Sequence, residues 1–293
     1  MIGPLFRSPA HRPRSTSVVP SRRRRFENVA NHVLEVLAAP FGLWRLKRLV
    51  VERSDLALRD LAPSFDGYRI AFLTDPHYSA VVPRWWIARG VAEALALQPD
   101  LILLGGDFLS HSPRYAAGLT ELFGPLAAPD GVYYVLGNHD HYVGAELVRR
   151  ALAGTGLVEL RNRAVLLRRG GGALALGGVG DLRYDVVDFE ATLAGVPESV
   201  PRIVLSHDPD VFAFWPRAPR LDLMVSGHTH GGQAHLPFFG PPYVPSQFGF
   251  RYLAGRVEEH GRQLYVSRGL GVITAPVRWR CPPELTLLVL HPS

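Results

Sequence analysis

The chain of 293 residues carries 32 Lys and Arg against 26 Asp and Glu, a formal net charge of +6, and 47% hydrophobic residues. That composition excludes a collagenous, disulfide-rich or wholly disordered chain and suits one large α/β domain or two small ones. The charge is uneven: residues 1–60 hold twelve Arg and Lys against five acids, a balance of +7, while the remainder stands at −1. A nucleic-acid partner inferred from the total would misplace that charge, and none is expected.

Residues 1–25 are rich in Pro, Ser and Arg without apolar periodicity and read as a disordered basic tail. Residues 26–60 read as a basic amphipathic segment, with Trp44 beside Arg45, Lys47 and Arg48, and with Pro40 and Gly42 splitting it. Residues 22–50 fit association with a membrane surface, or equally a helix packed on the domain beside a solvated charge run. Ser21-Arg22-Arg23 suggests a twin-arginine export start, a weaker reading because the apolar stretch is short and holds Glu35. No run of about 18 uncharged apolar residues exists, so no spanning helix is expected. Cys281 is the one cysteine and excludes an intramolecular disulfide framework or a Cys-based zinc cluster. These features point to a cytoplasmic protein, or one peripheral at the inner membrane.

A domain is expected over residues 61–293. Residues 68–74 (YRIAFLT), 101–104 (LILL), 132–136 (VYYVL), 202–206 (RIVLS) and 222–226 (DLMVS) read as short buried strands. Helical patterns lie between the first of them, over 83–97, 113–123 and 145–153, which makes a βα alternation and an α/β domain. Residues 157–178 differ, reading as antiparallel strands joined by a Gly-rich turn at 170–172.

Each strand is followed by polar residues suited to binding metal. In chain order these are Asp75 and His77, then Asp107, then Asn138 with His139 and Asp140, then His207, then His228 and His230. Carboxyl ends of strands in α/β sheets form the crevice where ligands bind. Any one of these pieces alone is an ordinary turn, but five segments delivering Asp, His and Asn to one rim are not. Mixed oxygen and nitrogen donors suit Mn²⁺, Fe or Zn²⁺ in a catalytic site. Asp107 is the natural bridge between two cations about 3.5–4 Å apart, which can acidify a shared water and hold both oxygens of an in-line displacement. His139 is then free to stabilise phosphate oxygens or donate a proton, with Asp140 orienting its imidazole.

On these residues the sequence resembles the calcineurin-like metallophosphoesterase family: D-x-H at 75–77, G-D at 106–107, G-N-H-D at 137–140, His207 and G-H-T-H at 227–230. The longer string SGHTHGGQ at 226–233, with FDG at 65–67 and SRGLG at 267–271, is similar to a bacterial, envelope-associated phosphodiesterase branch. The resemblance implies a four-layer α-β-β-α sandwich holding two divalent ions at one edge, Mn²⁺ first and Fe or Zn²⁺ as alternatives. It implies Asp75, His77 and His230 on the first ion, Asp107 between them, and Asn138, His207 and His228 on the second. His139 would be the catalytic acid or transition-state stabiliser. Pro76 within D-x-H and His141 after Asp140 depart from the commonest wording without removing a ligand.

Downstream, residues 236–243 (LPFFGPPY) with Phe248, Phe250 and Tyr252 form an aromatic segment that can wall the site or cover the sheet edge. Arg251, Arg268 and Arg278 are candidates to meet phosphate oxygens. The branch resemblance implies a phosphodiester or pyrophosphate substrate, small or lipid-linked, with a nuclease or a phosphomonoesterase as alternatives. A catalytically silent binding module would have lost ligands, and every expected one is present.

Overall fold

A computed structural model describes residues 48–273 and 277–293 of the chain. The basic tail at 1–25 and most of the amphipathic segment, to residue 47, lie outside the described residues. None of the described helices is long and apolar enough to cross a membrane.

Two six-stranded sheets face each other. The first has the order β1-β12-β2-β3-β4-β5, the second β10-β11-β9-β8-β7-β6. The expected strands are present: β2 is Tyr68–Leu73, β3 Leu101–Leu104, β4 Val132–Tyr134, β8 Arg202–Leu205 and β9 Leu223–Ser226. In the first sheet β2, β3 and β4 run parallel, followed by β5 (Val158–Glu159). The Gly-rich hairpin is β6 (Arg163–Arg169) and β7 (Gly172–Gly178), antiparallel as expected, with β7 parallel to β8 and β8 to β9. The second sheet ends in β10 (Gly255–Glu259) and β11 (Arg262–Val266).

Strand alternation explains the layers. Ile70, Phe72, Leu101, Leu103, Ile203, Leu205, Leu223 and Val225 enter one core between the sheets. Their neighbours Ala71, Leu73, Ile102 and Leu104 point to the other face of the first sheet. There they meet α1 (Arg84–Ala96), α2 (Leu119–Phe123) and α4 (Ala145–Leu152), on which Trp86, Leu122 and Leu152 are buried. Val204 and Met224 do the same on the second sheet, against Phe212 of α6 (Val211–Phe214), with the short α5 (Phe189–Thr192) packed nearby. Strands covered on both faces read as unbroken apolar runs, which is why LILL and RIVL carry no alternation. The result is the four-layer α-β-β-α sandwich.

The first strand is the main surprise. β1 (Val50–Leu58) runs parallel to the final strand β12 (Glu284–Pro292) in a nine-residue register from Val50↔Glu284 to Leu58↔Pro292. β12 pairs in turn antiparallel with β2. The sheet therefore includes residues that the sequence reading assigned to the N-terminal segment, and the folded unit starts at or before Val50 rather than at 61. Leu56 and Leu58 are buried in the inter-sheet core, while the first half of the strand is an edge with alternating exposure.

Candidate metal centre

The parallel strands β2, β3 and β4 open their carboxyl ends at one edge of the first sheet, and β8 and β9 at the matching edge of the second. The turns that follow meet there. His77 N and Tyr78 N donate to the carbonyls of Asp107 and Phe108, at 3.0 and 2.9 Å, and Gly227 N donates to the His207 carbonyl at 3.1 Å. Gly137 has no room for a side chain, since a Cβ there would stand 2.2 Å from Asp107 Oδ1 and 2.7 Å from His207 Cε1.

Two donor sets result. Asp75, His77 and His230 form one, Asp107, His207 and His228 the other, all six buried. In the first, Asp75 Oδ1 lies 3.4 Å from His230 Nε2 and 3.8 Å from His77 Nε2, and the two ring nitrogens are 3.1 Å apart. In the second, His207 Nε2 lies 3.1 Å from both His228 Nδ1 and Asn138 Oδ1. Asp107 Oδ2 joins the halves, 3.4 Å from His77 Nε2 and 3.3 Å from His207 Nε2. All seven residues singled out as metal ligands thus converge.

The donor chemistry fits divalent cations. Asp75 Oδ1 is buried and accepts no hydrogen bond, although its partner Oδ2 accepts from Thr74 Oγ1 at 2.7 Å and from His228 N at 3.0 Å. Burial holds His77, His228 and His230 well below the usual imidazole range, so they are neutral and offer a lone pair. His207 donates from Nδ1 to the Gly105 carbonyl at 2.8 Å, which leaves Nε2 facing Asp107 and Asn138. A backbone carbonyl that fixes the tautomer in this way is the usual support of a metal-ligating His. Burial pushes the Asp75 carboxyl up to about 6, and burial with the nearby Asp107 charge pushes Asp140 up to about 8. Burial also acts to raise Asp107, but the facing His207 and His139 outweigh it and hold this carboxyl well below its ordinary range.

His139 stands at the rim beside this cluster, its ring 4.9 Å from that of His77 and 5.2 Å from that of Tyr142. Its backbone N–H donates to Asp107 Oδ1 at 2.8 Å, and its Nδ1 donates to the Ser110 carbonyl at 2.9 Å. Nε2 is the ring atom left for chemistry. This corrects the role expected of Asp140, whose carboxylate accepts from Gly137 N at 3.0 Å and Leu109 N at 3.2 Å and makes no bond to the imidazole. Asp140 closes the first turn of α3 (Asn138–Val143) and ties it to the loop after β3. His141 stacks on Tyr184 and joins neither donor set.

The three arginines expected to meet phosphate are engaged elsewhere. Arg251 forms a bidentate pair with Glu259, and Arg268 pairs with Glu52 on β1 and Glu284 on β12. Arg278 is buried and donates to the carbonyls of Arg268, Gly269 and Gly271, bracing the turn behind Asp75. Three features near the rim were not read from the sequence. They are the Ser110 carbonyl, the Tyr142–Tyr184 hydroxyl pair at 2.6 Å and Arg183, close enough to help depress His228. None carries a motif, because a carbonyl has no residue signature and the other contacts join residues 42 and 45 positions apart in the chain.

A family model described as calcineurin-like phosphoesterase matches residues 68–232. Phosphodiesterase YaeI of Escherichia coli (strain K12) is 36% identical over 231 residues, covering 76% of this chain and 82% of that protein. The uncharacterized metallophosphoesterase YkuE of Bacillus subtilis (strain 168) is 31% identical over 230 residues, 77% of this chain and 80% of that one. An uncharacterized metallophosphoesterase of Helicobacter pylori (strain J99 / ATCC 700824) is 29% identical over 286 residues, 94% of this chain and 74% of its own length.

Proposed function

The chain belongs to the calcineurin-like phosphoesterase family, and on that premise we propose that it hydrolyses phosphodiester or pyrophosphate bonds with two divalent ions side by side. The carrying observation is Asp107 Oδ2, within 3.4 Å of one imidazole nitrogen from each donor set. Asp75, His77 and His230 would hold one ion, Asn138, His207 and His228 the other, and Asp107 both. When bound, such ions acidify a water and polarise the phosphoryl oxygens.

The chain's own residues supply the rest. The depressed Asp107 stays ionised through the neutral range and keeps its negative charge between the two sets. The Ser110 carbonyl takes the Nδ1 proton and fixes the His139 ring, so that in the imidazolium form Nε2–H would contact a phosphoryl oxygen or pass its proton to the departing one. Arg183 would add a cation on the side of His228. Preference for a diester rests on the relative named as a phosphodiesterase and on the engagement of Arg251, Arg268 and Arg278, which leaves those three unable to neutralise a monoester dianion. Mn²⁺ is the favoured ion, with Fe and Zn²⁺ compatible with the same donors.

The test is metal-reconstituted hydrolysis of bis(p-nitrophenyl) phosphate, run beside phosphomonoesters, cyclic nucleotides and nucleotide-linked lipids. Turnover of the diester that stops on chelation and returns with Mn²⁺ is expected. Faster turnover of monoesters than of every diester and pyrophosphate would contradict the substrate assignment. A lipid-linked substrate would suit the basic residues 22–50, which would hold the protein at the inner-membrane surface.

A further inference from the structure

The aromatic segment after His230 divides into two parts. In its second half Tyr252 is buried and Phe248 packs on Tyr252 and Phe214, while Phe250 is exposed. Its first half is a turn over residues 236–240, closed by Leu236 N to the Gly240 carbonyl at 2.9 Å and Gly240 N to the Leu236 carbonyl at 3.1 Å. At its tip Phe238 is fully exposed and Phe239 is 82% exposed, with Tyr243 at 69% just beyond. Phe238 also has a left-handed backbone, φ 69°, uncommon for a bulky residue. A strained residue that presents a ring to solvent gains nothing from the described chain, and such outliers concentrate at functional surfaces.

Two further residues flank the base of the turn. The backbone of Ala234 bridges that of Trp279, and His235 N donates to the Trp279 carbonyl at 2.9 Å. This sets the half-exposed Trp279 and the exposed Arg280 beside the turn. The whole is braced against the metal edge: a Cβ on Gly232 would stand 2.3 Å from Pro241 Cβ, and Thr229 Oγ1 donates to the Leu253 carbonyl at 2.7 Å.

We propose that this turn, with Trp279 and Arg280, seats in the interfacial layer of an anionic lipid bilayer and presents the metal edge to the membrane surface. Exposed rings on one short turn with the exposed cation Arg280 at its base combine apolar and positive groups, which suits the headgroup layer of an anionic bilayer. Trp and Tyr favour that layer, and Arg meets its negative surface potential. The contact is separate from the N-terminal segment and does not depend on which ester is cleaved.

The test uses the full chain and sedimentation with vesicles of equimolar phosphatidylcholine and phosphatidylglycerol. The wild type should pellet with them. Phe238→Ser/Phe239→Ser should partition at least about tenfold less, given the free energy of burying even one ring. Its turnover of bis(p-nitrophenyl) phosphate in solution should be unchanged, which verifies that it folds. Equal pelleting of both proteins overturns the proposal, as does a wild type that stays in solution. Binding lost only when Arg22, Arg23, Arg24 and Arg25 become Ser, with the loop variant still pelleting, also overturns it. So does a wild type that self-associates through these rings without binding vesicles.

Discussion

Five of the seven side chains that converge on the metal centre leave the chain from left-handed backbone: Asp75, His77, Asp107, His228 and His230, with φ between 48° and 70°. Non-glycine residues in that region cost of order 1–3 kcal/mol where the conformation is strained. Contacts from outside hold these turns: Asp75 N and His77 N donate to the carbonyls of Gly106 and Asp107, and Asp75 Oδ2 accepts from the Thr74 hydroxyl and from His228 N. Residue types and their place after strands are legible in the sequence, so the seven candidate ligands could be named, with their division between two ions resting on the family resemblance. The backbone strain and the supporting carbonyls were not, because they arise only when the two sheets meet. For the same reason Asp140 was given the wrong task. Replacing His139 by Ala is expected to lower kcat by about 10²–10⁴-fold with metal content unchanged, checked by steady-state kinetics beside elemental analysis. Asp140→Ala leaves Gly137 N and Leu109 N without an acceptor, at about 1–3 kcal/mol each. It should therefore lower the melting temperature as well as turnover, whereas loss of turnover at unaltered stability would restore an orienting role.

Among the elements, those with continuous apolar runs were found from sequence nearly to the residue, since burial on both faces leaves no other composition. The edge strand β1 was not: its first six residues alternate between half-buried and exposed, and its pairing partner lies more than 200 positions away. The helix that carries Asn138 and His139 spans six residues, too few for periodicity to register. β1 matters beyond its length, because its Glu52 accepts from Arg268 at 2.6 Å at the end of the strap behind Asp75. A chain beginning at residue 61 would lose Leu56 and Leu58 from the inter-sheet core, about 1.5–3 kcal/mol each. Such a chain is expected to be far less stable than the full chain in urea. An unchanged unfolding midpoint would show that β1 is dispensable.

For the molecule as a whole, the buried acids make metal binding and stability one question. Burial lifts Asp140 to about 8 and Asp208 to about 7, the latter with help from Asp210, against an ordinary carboxyl near 3.8. A group whose pKa is raised by folding gives its stability below the unfolded value and loses it as pH climbs through the folded one. His207, raised well above its usual range because Asp107 outweighs the effect of burial, acts in the same direction. The depressed His77, His228 and His230 oppose this only near and below 6.5. Between about pH 6.5 and about pH 8 the chelated protein should therefore lose stability more steeply than the metal-loaded one, in which cations favour the carboxylates. Calorimetry with and without chelator checks this, and parallel slopes would refute it. Whether Asp107 unites two metal sites is tested most directly by elemental analysis of the Mn²⁺-reconstituted full chain beside its Asp107→Ala variant. Two equivalents per wild-type chain and loss of metal from both sites in the variant are expected. Two equivalents retained by Asp107→Ala would contradict the bridging role.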